Sequence, residues 1–81
     1  MEYLQAQDGK RYRYKKFVGF DASRVEFTIV GHLRGGSKVL LGEYATCDEL
    51  DETVMAQIGA EESGKLVFIF PPKGYRQGGG F

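Results

Sequence analysis

Cys47 and His32 are the two side chains best suited to nucleophilic chemistry, a thiolate to attack and an imidazole to take its proton. The thiol falls where the sequence predicts the first turn of a helix, a position at which the helix dipole lowers a thiol pKa. Asp48, Glu49, Asp51 and Glu52 crowd the same turn with negative charge, which opposes a thiolate. None of the signatures of cysteine enzymes surrounds Cys47. The expectation is a small, partly buried filler residue and a protein that is not an enzyme.

The same four carboxylates would suit a hard cation if they alternated in a loop with a glycine at its turn. They do not have that spacing, and no histidine lies beside them. No metal and no other cofactor is expected. Acids in a first helical turn complement the dipole, and Asp48, Glu49, Asp51 and Glu52, continued by Glu61 and Glu62, also offer a partner an acidic patch.

A basic run, Lys10, Arg11, Arg13, Lys15 and Lys16, is interleaved with Tyr12, Tyr14 and Phe17. Read as a string it has cations for phosphates and aromatic rings for base stacking. Strand alternation separates the two components: Arg11, Arg13 and Lys15 point one way, Tyr12 and Tyr14 the other, toward Val18 and Phe20. The basic face loses its stacking platform, so single-stranded nucleic-acid or RNA binding, through Arg11, Arg13, Lys15 and Lys16 together with Lys73, Tyr75 and Arg76 of the C-terminal tail, is the second functional reading. Near the C-terminus, Lys73, Tyr75 and Arg76 precede Gly78, Gly79, Gly80 and Phe81, a glycine stem with aromatic and cationic anchors for a partner. Arg34-Gly35-Gly36-Ser37 lacks the spacing of a phosphate loop and reads as a turn.

Several elements must position these groups. Residues 1–10 read as a polar N-terminal extension ending in the turn Asp8-Gly9-Lys10. Residues 11–20 have strand-forming composition, and Asp21-Ala22-Ser23 breaks it. Residues 24–33 carry the cleanest alternation, with Val25, Phe27, Ile29 and Leu33 on one face. Residues 38–45 form a third strand across a hairpin, with Val39 and Leu41 facing one way and Leu40 and Tyr44 the other. Thr46 and Glu49 match a capping box, and Leu50, Val54, Met55 and Ile58 follow at helical spacing, with Gly59 as the stop. Residues 65–70 are apolar on both faces, as a strand in mid-sheet would be, and Pro71-Pro72 ends them.

The expected fold is α+β: a small, mostly antiparallel sheet of three to four strands in β-β-β-α-β order, with helix 47–58 packed on one face. One domain covers 11–72, and 73–81 is a flexible glycine-rich tail. The predicted core is Val25, Phe27, Ile29, Leu33, Val39, Leu41, Leu50, Val54, Ile58, Leu66, Phe68 and Phe70, with part of Tyr12, Tyr14, Val18 and Phe20.

Composition narrows the function. The 81 residues balance eleven basic against eleven acidic side chains, so no global charge draws the chain to nucleic acid or anionic membrane. One cysteine excludes an intrachain disulfide framework. No leader-like segment opens the sequence, and the longest apolar run, 66–72, is too short to span a bilayer. The expected setting is the cytoplasm, away from membranes. The leading functional expectation is a small non-catalytic module that binds another protein, an accessory factor or inhibitor of the kind phages and mobile elements carry. Its partner surfaces would be Arg11, Arg13, Lys15, Lys16, Asp48, Glu49, Asp51, Glu52, Tyr75, Arg76 and Phe81, with a strand edge available for pairing to a second copy.

Overall fold

The computed structural model describes residues 1–75. It is an α+β fold with six strands, β1 Tyr3–Gln5, β2 Arg11–Arg13, β3 Phe17–Ser23, β4 Thr28–Leu33, β5 Lys38–Glu43 and β6 Val67–Ile69, and one helix, α1 Cys47–Glu62. The strands form two sheets rather than one: β2-β1-β6, and an antiparallel meander β3-β4-β5.

Residues 1–10 are not an extension. Leu4 sits between Tyr12 of β2 and Phe68 of β6 in register and is fully buried, so β1 is the middle strand of its sheet. A three-residue strand contains too little alternation to be read from sequence; its two partners define it. The expected Asp8-Gly9-Lys10 turn is present, with Gly9 at φ 90° and the Asp8 carboxylate accepting from the Lys10 amide, and it joins β1 to β2. Because β1 holds the centre, β6 pairs parallel to it at a sheet edge, not in mid-sheet. Its apolar outer residues Leu66 and Ile69 are accordingly exposed, while Phe70 is buried.

The expected strand 11–20 is interrupted by a 3₁₀ turn at Tyr14–Lys16, anchored where the Tyr14 amide donates to the Glu2 carbonyl at 2.8 Å. Asp21-Ala22-Ser23 continues β3 instead of ending it. The turn comes next, at residues 24–27, where the Glu26 amide donates to Ser23 Oγ and Phe27 takes a left-handed φ of 58°. The alternating side chains of that loop imitate a strand, yet Val25 is 89% exposed. The predicted Gly35-Gly36 loop has both glycines at positive φ, as a tight hairpin requires.

Where the meander meets the core, Gly31 and Gly42 make room for aromatic rings. A Cβ on Gly42 would lie 2.8 Å from the Tyr44 ring, and one on Gly31 would overlap the Phe17 ring. A bulge between β4 and β5 takes Leu41 out of the pairing while keeping it fully buried. Leu40 is exposed and Tyr44, beyond the strand end, is buried, so their expected shared face does not exist. Leu4, Ala6, Phe17, Ile29, Leu41, Tyr44, Leu50 and Phe70 form the core. Val18 and Ile58, both predicted inside, are exposed.

Helix α1 starts as its sequence dictates. Thr46 is extended (φ −142°), and its Oγ1 accepts from the Glu49 amide at 3.2 Å. The helix runs through Gly59, which costs about 1 kcal/mol relative to alanine in a helix interior, and stops later. Gly64 at φ 75° provides the left-handed residue, with Lys65 N–H to Ala60 C=O at 3.1 Å and Gly64 N–H to Glu61 C=O at 3.3 Å. That pair of bonds is the Schellman motif. The inward face is largely polar: Glu49, Leu50, Thr53, Gln57 and Ala60 are buried, whereas Met55 and Ile58 face out.

Candidate functional site

The acidic cluster divides by depth. Glu49 is fully buried, and its Oε1 accepts from the Ala45 amide at 2.9 Å and the Gly74 amide at 3.1 Å. It ties the chain on both sides to the helix start. Asp51 makes a two-oxygen pair with Arg24 Nη1 at 2.7 and 2.8 Å, which raises the Arg24 pKa through that hydrogen bond and the attraction of the carboxylate. Asp48 and Glu52 are exposed. Among the described residues no group of three or more His, Cys, Asp or Glu is placed to hold a metal ion.

His32 and Cys47 have separate partners. His32 Nε2 meets Asp21 Oδ2 at 2.5 Å across β3 and β4, whereas the Cys47 thiol donates to the Arg24 carbonyl at 3.6 Å. On the basic stretch, Arg11 and Arg13 are exposed on the short edge strand β2, and Lys15 and Lys16 on the turn after it. Arg11 Nε donates to Gln5 Oε1, and the Arg13 guanidinium lies 5.4 Å from the Tyr3 ring centre. The tyrosines are occupied elsewhere. Tyr12 packs edge-on against Phe17, and Tyr14 stacks near Phe20 while its hydroxyl donates to Glu61 Oε2 at 2.5 Å. Burial, then the bond to Glu61 and its charge, push the Tyr14 phenol up to about 12.

Tyr75 is seated against the chain itself. Its ring stands edge-on to Tyr44 at 6.0 Å, and its hydroxyl lies 3.1 Å from Thr53 Oγ1. This part of the expected tail is a lid on the polar face of α1. Arg76 and Phe81 lie outside the described residues.

The geometry singles out β3, a surface the sequence did not mark. It is an edge strand, and apart from the Phe17 amide, which donates to the Tyr14 carbonyl, none of residues 17–23 makes a backbone hydrogen bond beyond its own sheet among the described residues. Val18, Asp21 and Ala22 are exposed along it, and the space around the Gly19 Cα is open. Beneath it α1 runs in the opposite direction, bridged at one end by Tyr14–Glu61 and at the other by Arg24–Asp51. Between the bridges lies a groove of about 210 Å³, with Phe20, Ala22 and Ile29 on the sheet side and Val54, Gln57 and Ile58 on the helix side. A shallower hollow of about 320 Å³ occupies the opposite sheet face, around Thr28, Val30, His32 and Lys38.

No family model, no curated protein and no solved structure matches this chain. Open strand edges and adjacent apolar grooves together take extended peptides: the edge supplies main-chain hydrogen bonds, and the groove receives alternate side chains. The signal that could have pointed to β3 was its length combined with Gly19 and Ala22, small residues that leave the strand approachable.

Proposed function

We propose that this chain is a non-catalytic protein-binding module, an accessory factor or inhibitor, that takes an extended segment of its partner as an added strand beside β3. The open β3 edge above the Phe20–Ala22–Val54–Ile58 groove carries this reading. The separate engagement of His32 and Cys47 supports a binding role over catalysis. The setting in this reading is the reducing cytoplasm, which a lone thiol suits, and small inhibitors of mobile elements are the comparable class.

Affinity purification from the native cell, with and without nuclease, tests it. The expected result is a stoichiometric protein partner that survives nuclease and is lost with Ala22→Lys, which places a charged chain over the groove at an exposed position. Recovery that depends on nucleic acid, or capture unchanged by Ala22→Lys, would transfer the function to the basic surface of Arg11, Arg13, Lys15 and Lys16.

A further inference from the structure

Resting on strand addition at β3, we infer that the partner segment is basic, with valine- or isoleucine-sized side chains at alternate positions between lysines or arginines. In a strand laid along β3, every second side chain points down toward α1. On the helix wall it meets, Asp51, Val54, Ile58 and Glu61, spaced i, i+3, i+7 and i+10, share one face, apolar in the centre with a carboxylate at each end, that of Asp51 paired to Arg24. Ten residues of helix rise about 15 Å, the reach of roughly four to five strand residues. Two inward apolar side chains, about 7 Å apart, therefore fit over the centre. Inward lysines or arginines two residues beyond each, about 20 Å apart at their Cα atoms, reach back along their flexible stems to the two ends.

The charge on that wall has one sign. Helix α1 contains six carboxylates and no lysine, arginine or histidine. Glu49 is buried, and Arg24 offsets Asp51. Glu61 accepts from a phenol and has no cationic partner among the described residues, with Glu62 exposed beside it. Asp21 adds a carboxylate on the strand side, paired to His32, and Lys15 and Lys16 belong to the turn that precedes β3. The same arithmetic disfavours a second copy of this chain. Antiparallel β3–β3 pairing would set two acidic helices on one side of a joined sheet, where like charges oppose the complex.

The test is a chemical-shift titration of the full-length, isotope-labelled protein with three end-blocked heptapeptides. These are Lys-Thr-Val-Thr-Ile-Thr-Lys, the same peptide with both lysines replaced by glutamate, and the lysine peptide with alternate backbone amides N-methylated. Expected are shifts concentrated in residues 17–23 and 54–61, at least tenfold tighter binding of the lysine peptide than of the glutamate one, and loss on N-methylation. The preference should shrink in high salt and reverse in a Glu61→Lys, Glu62→Lys double variant. Equal binding of both charge types at β3 overturns the basic partner while leaving strand addition standing. Absence of shifts at β3 with all three peptides overturns both. A concentration-dependent dimer whose β3 amides are protected from exchange would give the groove to a second copy and also overturn the inference.

Discussion

β5 and β3 bound the same antiparallel sheet, but only one of them is closed. At β5 the Leu41 carbonyl accepts from the Gln7 amide at 2.9 Å, and the Gln7 side chain takes both backbone groups of Glu43, two residues on. Its Oε1 accepts from the Glu43 amide at 2.7 Å and its Nε2 donates to the Glu43 carbonyl at 2.9 Å. The same Nε2 also reaches the Pro71 carbonyl at 2.8 Å, so one glutamine joins both sheets. β3 has no such cover among the described residues, although it is the longest strand. Proteins close or charge their strand edges because an open one templates pairing. Under the proposed strand addition, β3 is the edge of this sheet that remains available for pairing, above the groove.

The largest expected effect comes from loosening what holds the clamp. Leu4→Ala removes a fully buried side chain from the strand that leads to Gln7, and should cost about 3 kcal/mol in denaturant unfolding. Gln7→Ala should cost about 1 kcal/mol by removing the side-chain hydrogen bonds to Glu43 and Pro71. Hydrogen exchange at Glu43 should accelerate with it; unchanged protection there would mean that β5 does not need the clamp. Ala22→Lys should leave stability within about 0.5 kcal/mol yet abolish partner capture, the reverse of the Gln7 result.

The smallest effect is a titration. The folded-state pKa of Tyr14 is raised to about 12, so its contribution is complete below the unfolded value of 10 and is lost as pH climbs from there toward 12. Phenolate absorbance of wild type against Tyr14→Phe isolates this step. Tyr44 titrates in the same range because burial pushes it up to about 12; Thr53 and Gln7 lie close enough to moderate that rise, although neither closes a regular hydrogen bond to its hydroxyl. Subtracting a Tyr44→Phe curve separates the two. If the Tyr14 step falls near 10, the Tyr14–Glu61 bridge does not hold that end of the groove.

How much was legible in the sequence varied with how local the cause was. Thr46 caps the helix because a hydroxyl three residues from an amide is a local matter, and Gly35-Gly36 turns because positive φ is intrinsic to glycine. Gly59 carried the same intrinsic preference but was overruled. The motif at Gly64 satisfies the final carbonyls, and Ala60 is buried beyond Gly59, so packing extends the helix past its weak point. The loop at residues 24–27 misled because alternation in composition does not require an extended backbone. Of the site residues, the acids of α1 and the basic stretch were visible as charge runs, but their division into buried, paired and exposed members was not.

The sequence by itself determined the α+β class, the helix start, the glycine hairpin and the absence of a disulfide framework, all consequences of residue type and near spacing. Tertiary structure alone decided that Tyr3–Gln5 is a central strand, that Gln7 closes β5, and that β3 stands open over α1. Each of these depends on partners distant along the chain. A three-residue strand has no stability until β2 and β6 flank it, and a groove has no existence until β3 and α1 face each other, with Tyr14–Glu61 and Arg24–Asp51 at its two ends.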